Sequence, residues 1–386
     1  MLKFGFYLPT RVHFGPGAVQ QVGKITRLYG KRAFVVTGRS SAKKLGFLQI
    51  IEKKLKEEKI EPFFFQEVEP NPSIDTIEKG VELFNKQRCD VIIGLGGGSP
   101  LDAAKVIGVL IKNPPPLSYY FGKNKLKNNP PPFIALPTTS GTGSEVTPYA
   151  VVTDTQEKHH PKKIIADARI FPEEALLDPT LTLSLSPTLT SDTGIDALSH
   201  AVESFLSKRS FPLSETFALE AVRIIGKYLP RAISHPRDIE TRSYLMYASL
   251  LAGISIAQTG ATLLHAMGYP LTSSFNISHG RANAILFPWF WEYSFPGNPE
   301  KFFKIITTLM EEAKEHQAKR AKESALLLKE FLQTCGSLQN MDIKVPEEDL
   351  YRFAGEIVEN KQRLAVSPKE LSFEEVLTIY KKALLI

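Results

Sequence analysis

The segment DVIIGLGGGSPLDAAKVIGVL, residues 90 to 110, constrains the fold more than any other. After Asp90 its opening run is wholly apolar, without the alternation that a strand with one solvated face requires. Such a run is buried on both faces, as in a parallel sheet covered by helices. Gly96, Gly97, Gly98 and Ser99 then break the run, and Pro100 opens a helix with Asp102 just inside it. Three further short apolar runs bounded by Gly or Pro are RAFVVTG at 32 to 38, PFFF at 62 to 65 and PFIALP at 132 to 137. Between PFFF and the 90–95 run, Ile74, Ile77, Val81 and Phe84 recur at helical spacing behind Ser73, a suitable N-cap. This is a β-α-β pattern.

Strand signals stop near residue 185. Helical ones follow, as in ETFALEAVRIIGKYL at 215 to 229 and RSYLMYASLLAGISIA at 242 to 257. The segment LSLSPTLT, 183 to 190, marks the change. A chain of 386 residues exceeds the roughly 250 to 300 at which a single core stops growing. The expectation is an α/β parallel-sheet domain over 1–184 and an all-helical domain over 185–386. Proline clusters at 113 to 116 and 128 to 132 flank a polar excursion in the first, and no internal repeat is present.

Composition excludes several classes of function. The net charge of +6 is dispersed, and basic runs such as KKLKEEK at 53 to 59 are broken by acids, so solvated helix faces account for them and nucleic acid is not expected. Cys89 and Cys335 are the two cysteines; they form no C-x-x-C, which argues against a disulfide framework or a cysteine zinc site. No uncharged apolar run reaches membrane-spanning length and the N-terminus lacks a signal-peptide core, so the expected setting is cytoplasmic, without a membrane partner. No G-x-S-x-G is present to support serine nucleophile chemistry.

The glycine turn at 96 to 99 suits a pyrophosphate, because glycines admit close approach and the free N–H groups of a helix N-terminus favour negative charge. Ser99 stands where a third glycine would complete G-x-G-x-x-G, so the usual dinucleotide fingerprint is absent. A second polar loop, LPTTSGTGSEVT at 136 to 147, follows the next strand with Thr138, Thr139, Ser140, Thr142 and Ser144. Loops at successive strand ends of a parallel sheet share a crevice, so the pair reads as a nucleotide site.

In TGIDALSHAV, 193 to 202, Asp196 and His200 fall on one helical face among Ile195, Leu198 and Val202, where an unpaired charge is costly. A buried hydrogen-bonded pair and half of a metal site both satisfy that spacing. Farther on, His265 lies in an apolar helical run ended by Pro270, and His279 precedes Gly280. Together the four give three imidazoles and a carboxylate, a set suited to a divalent transition metal with an open position for a substrate oxygen.

At this point the chain resembles a family. PTRVHFGPGAV, GLGGGSPLDAAK, PTTSGTGSEVT, LLDPTLT, DALSHAVESF and HAMGYPLTSSFNISHGRANAILFP are similar to the motifs of the iron-containing (group III) alcohol dehydrogenases, in that family's order and across nearly the whole chain. The resemblance implies an N-terminal Rossmann-like domain for a nicotinamide dinucleotide and an all-helical metal-binding domain, the dehydroquinate synthase-like arrangement. It further implies a homodimer that oxidises a primary alcohol reversibly to an aldehyde. The metal, Fe2+ by resemblance and Zn2+ or another divalent ion by donor chemistry, would be held by Asp196, His200, His265 and His279 and act as a Lewis acid on the alcohol oxygen. Gly97, Gly98, Ser99, Thr138 and Thr139 would contact cofactor phosphates and ribose, with Asp102 and Thr142 from the same loops. Asn71 and Lys162 match further cofactor contacts, with Lys163 as an alternative to Lys162.

One departure from the family lies at Tyr269, four residues after His265, where a histidine is common and is held to help move the substrate proton. A neutral phenol is a poor base at pH 7, so Tyr269 is expected to orient substrate or line the site. After the strand at 32 to 38 the chain offers Gly38, Arg39, Ser40, Ser41 and Lys43, with no acid to hold a ribose diol; NADP is therefore expected ahead of NAD. A glycerol or other polyol dehydrogenase and a dehydroquinate-synthase-like lyase share the architecture, and a non-catalytic nucleotide-binding homologue would carry a broken ligand set.

Overall fold

The apolar run at 90 to 95 forms the strand Val91–Gly96, buried at every residue. In this computed structural model, which describes residues 2–310, 318–338 and 344–384, it lies inside a six-stranded sheet. The strands are, in chain order, β1 (Arg11–Phe14), β2 (Arg32–Gly38), β3 (Glu61–Val68), β4 (Val91–Gly96), β5 (Gly122–Lys123), β6 (Phe133–Pro137), β7 (Tyr149–Thr153), β8 (Lys162–Ala166) and β9 (Glu174–Leu177). The large sheet has the order β1-β9-β6-β4-β2-β3, parallel throughout. Alternate residues of its strands feed different cores: Phe34, Val36 and Ile92 one, Val35, Ile93 and Leu136 the other. Both faces are therefore covered, as the unbroken apolar runs require.

Strand order sets where a ligand can sit. From β2 the chain passes outward to β3, then returns to β4 on the other side of β2. The loops leaving β2 and β4 consequently diverge and open a crevice at the carboxyl ends of the strands. Ser73 caps the Ile74–Lys86 helix by accepting from Thr76 N, as its position suggests.

The chain divides into two compact units, one of Tyr7–Leu185 and one of Met1–Phe6 with Ser186–Ile386. The sequence reading assigns the first residues to the α/β domain, whereas residues 2–6 group with the helices. An aromatic contact accounts for this: Phe4 stacks on Phe211 with ring centroids 4.6 Å apart. Among the described residues every strand ends by Leu177, and the second unit is helical. Its core is built around Phe205, Phe287, Phe290, Trp291 and Phe302. Pro270 does not end its helix as expected; the helix runs Leu263–Phe275 through it. Leu263, Leu264, Met267 and Leu271 are fully buried on that helix, and their packing outweighs the lost hydrogen bond. No single helix among the described residues is long and apolar enough to cross a membrane.

Five strands lie outside the sequence reading. β1 and β9 pair at the sheet edge, where buried Glu174 accepts from His13 Nε2, Arg11 and Tyr29. A separate three-stranded sheet, β5-β8-β7, takes its first strand from the proline-flanked excursion and the other two from beyond it.

Candidate functional site

In the α/β unit the two polar loops meet. Gly98 lies so close to Thr142 that a Cβ there would stand 2.7 Å from the threonine methyl, and one on Gly97 would stand 3.3 Å from Thr139. Thr138 N donates to Gly96 O at 2.9 Å. Two residues far away in sequence join this turn: Ser99 Oγ accepts from Asn71 N at 3.1 Å, and Asn71 Oδ1 accepts from Lys162 Nζ at 2.6 Å. Lys163 instead pairs with Glu157 at 2.8 Å, so Lys162 is the lysine that reaches the cluster.

Asp102 is turned to internal work. Its carboxylate accepts from Ser144 Oγ at 2.7 Å and Val151 N at 3.0 Å. One turn on, buried Lys105 donates to the carbonyls of Ser144, Thr147 and Tyr149. Burial pushes the Lys105 pKa down to about 8, against the attraction of Asp102 and Glu145. Together these groups hold the second loop on the helix that follows the first. Gly38 ends β2, and Arg39, Ser40, Ser41 and Lys43 beyond it are exposed. The fold adds a carboxylate there that local sequence did not show: Glu69, after β3, lies 3.6 Å from Arg39 and accepts from Ser73 N and Thr76 Oγ1.

In the helical unit the Pro187–Leu206 helix, started by Pro187 and capped by Ser186, presents Asp196 and His200 on one face. The Leu263–Phe275 helix brings His265 and the His279–Ser294 helix brings His279. One ligand atom from each of Asp196, His265 and His279 lies within 4.8 Å of the other two. Asp196 Oδ1 is 3.5 Å from His265 Nε2 and 3.7 Å from His279 Nε2, longer than good hydrogen bonds. Two ligands each about 2.1 Å from one tetrahedral ion stand roughly 3.4 Å apart, so the trio has the spacing of a coordination edge. His200 lies beside it with its ring stacked on His265, centroids 4.3 Å apart. Burial would raise the Asp196 pKa, yet the three histidines hold it well below the usual carboxylate range.

Glu203 is the residue the sequence reading passed over. It sits three residues after His200 on the same helix and is fully buried. Its carboxylate binds His265 Nδ1 and accepts from Thr262 Oγ1 at 2.6 Å and Leu264 N at 3.1 Å. A carboxylate on Nδ1 fixes the tautomer that leaves Nε2 free to ligate. Burial opposes a proton on His265, but Glu203 and Asp196 outweigh it and raise the pKa to about 9. This pocket attracts positive charge. Asn283, one turn after His279, donates to Asp196 Oδ1 and Ser199 Oγ at 3.3 Å each.

The comparisons with known proteins agree across both units. The profile described as iron-containing alcohol dehydrogenase matches residues 9–179, and that of the Fe-containing alcohol dehydrogenase family, C-terminal, matches 190–384. The chain belongs to the iron-containing alcohol dehydrogenase family. Within that family it is 34% identical to a 1,3-propanediol dehydrogenase of Citrobacter freundii over 98% of each chain. It is 30% identical to an NAD-dependent methanol dehydrogenase of Bacillus methanolicus over 98% of this chain and 99% of that one. A crystal structure of an iron-containing alcohol dehydrogenase from Thermotoga maritima superposes with a TM-score of 0.89, at 39% identity and full coverage of both chains. Like the family, this chain is an oxidoreductase acting on alcohols, with a Rossmann-like sheet and a helical half.

Tyr269 stacks on His279, ring centroids 5.2 Å apart, and the Arg363 guanidinium lies 5.5 Å over its ring. Burial raises its pKa and Arg363 only partly offsets this, so the phenol stays protonated at neutral pH. Tyr269→Phe should lose less than about tenfold in kcat, below the 10²–10⁴-fold that a general acid–base group contributes; steady-state rates on a short alcohol check this.

Proposed function

We propose that Asp196, His200, His265 and His279 hold a divalent metal, iron by family likeness, and that this chain passes hydride between a primary alcohol or its aldehyde and NADP(H). The observation that carries the metal reading is the convergence of buried Asp196 and His265 with half-buried His279, the two Asp196–histidine separations matching a coordination edge. When bound, such an ion supplies Lewis-acid polarisation of the substrate oxygen. The chain's own groups do the rest. Glu203 keeps His265 Nε2 directed at the site, Asn283 holds one Asp196 oxygen, and Tyr269 offers a neutral phenol beside His279 to orient substrate. Gly97, Gly98, Ser99, Thr138, Thr139 and Thr142 present small side chains and backbone N–H groups to the cofactor phosphates, and Lys162, steadied by Asn71, supplies a cation. The cluster from which Asp102 and Lys105 act supports that loop from beneath.

The cofactor preference rests on the end of β2. Gly38, Ser40 and Ser41 carry no charge to repel a 2′-phosphate, while Arg39 and Lys43 are exposed beside them. Glu69 opposes this, but two hydrogen bonds from Ser73 and Thr76 and the Arg39 charge occupy its carboxylate. A panel of short alcohols, glycerol included, and their aldehydes should therefore give a higher kcat/KM with NADP(H) than with NAD(H), and Arg39→Ala should narrow the gap. A higher value with NAD(H) would reject the preference, and no turnover by the metal-loaded enzyme would reject the function.

A further inference from the structure

One turn before Asp196 the same helix carries Asp192, a buried carboxylate outside the ligand set. Asp192 Oδ1 accepts from Arg281 Nε at 3.0 Å, with Arg281 NH2 at 2.9 Å, and Oδ2 accepts from Ser278 Oγ at 2.5 Å. Ser278 and Arg281 bracket His279 in the chain. Ser278 is the N-cap of the His279–Ser294 helix, yet its side chain makes no capping bond there; the hydroxyl is spent on Asp192 instead. Gly280, between them, approaches the same place so closely that a Cβ would stand 1.8 Å from Asp192 O. Three successive contacts thus fix the first turn of one helix to a single point on another. At that point His279 Nε2 ends 3.7 Å from Asp196 Oδ1.

A charged Arg–carboxylate contact in which two guanidinium nitrogens face one carboxylate oxygen, with a serine hydroxyl on the other, resists sliding and rotation better than apolar packing does. An imidazole on the first turn of a helix moves whenever that turn does, and a ligand displaced by a fraction of an ångström no longer meets the ion. We propose that Asp192, with Arg281 and Ser278, is a positioning group for His279 and thereby sets how tightly the metal is held. This rests on the metal reading above.

The test uses the full chain loaded with Co2+, whose visible absorption reports ligand geometry, with its dissociation constant measured by chelator competition. Asp192→Asn and Arg281→Met should each raise that constant by about 10- to 100-fold, the usual effect of losing a partner of a ligand, and should change the absorption bands. The double variant should be no weaker than the worse single one, because both remove the same contact. Arg281→Lys should restore part of the affinity. NADPH binding, read by fluorescence, should be unchanged. A purely structural contact would lower the unfolding temperature of the metal-free protein and leave the Co2+ constant and spectrum alone, which would overturn the proposal. Arg281, with a side chain 17% exposed, is the variant expected to fold if Asp192→Asn does not. A wild-type chain that takes up no stoichiometric Co2+ would overturn the metal reading itself, and this inference with it.

Discussion

His265→Ala and His279→Ala are each expected to leave the purified chain with far less than one metal ion and to lower kcat by at least about 10²- to 10³-fold, the scale for losing one preorganised charge-stabilising group. His265 is buried, and its Nε2 is directed at Asp196, so its loss removes one ligand atom from the interior of the site. Cofactor binding should survive, because the glycine turn and the Thr138–Thr142 loop belong to the other compact unit. Metal analysis, steady-state kinetics and NADPH titration of the same preparations separate these effects. Full metal occupancy in both variants would return Asp196 and His200 to a buried polar pair.

The second large effect is expected at Glu203. Replacing it with Ala leaves His265 Nδ1, Thr262 Oγ1 and the backbone N–H of Leu264 facing an apolar void, inside a core where Glu203 is fully buried. Removing one partner of a buried charged contact costs about 3 to 5 kcal/mol. The carboxylate also sits at the N-terminus of the Leu263–Phe275 helix, where negative charge is favoured. Metal affinity should fall by a further 10- to 100-fold or so, since the His265 tautomer is no longer fixed. Chemical unfolding followed at the helical signal, with chelator competition on the same variant, measures both. Glu203→Asp should recover little, because its shorter reach cannot satisfy the histidine and the helix end together. Wild-type stability and affinity in Glu203→Ala would show that these bonds carry no weight.

How much of this was legible in the sequence follows from the range of the interactions. Asp196 and His200 could be seen because helical spacing converts sequence into a shared face, and Glu203 was equally visible as the next residue of that stripe, D-x-x-x-H-x-x-E. Spacing alone does not tell it from a glutamate that faces solvent near a helix end. The central strands announced themselves through apolar runs covered on both sides, whereas β1 and β9, at four residues each, owe their existence to each other across the whole unit. Which of two adjacent lysines meets Asn71 depends on the β7–β8 pairing, which puts Lys162 opposite Thr153. No local pattern encodes that register. Glu69 near Arg39 escaped notice for the same reason: it comes from the end of the neighbouring strand. Pro270 misleads because local propensity is outweighed by the burial of Leu263, Leu264, Met267 and Leu271 on its helix.

The Pro187–Leu206 helix carries Asp192, Asp196, His200 and Glu203 at steps of four, four and three residues, and each meets a partner outside the helix, Asp192 on Arg281 and the other three on His265. Deleting or inserting one residue anywhere along that stretch would turn everything beyond it by about 100°, swinging part of the set away from partners that stay where they are. A substitution here removes one contact and leaves the others in register, whereas a change of length misaligns several at once. In lineages descended from this chain, insertions and deletions should accumulate in the loops on either side, leaving this helix with a fixed residue count while its surroundings drift.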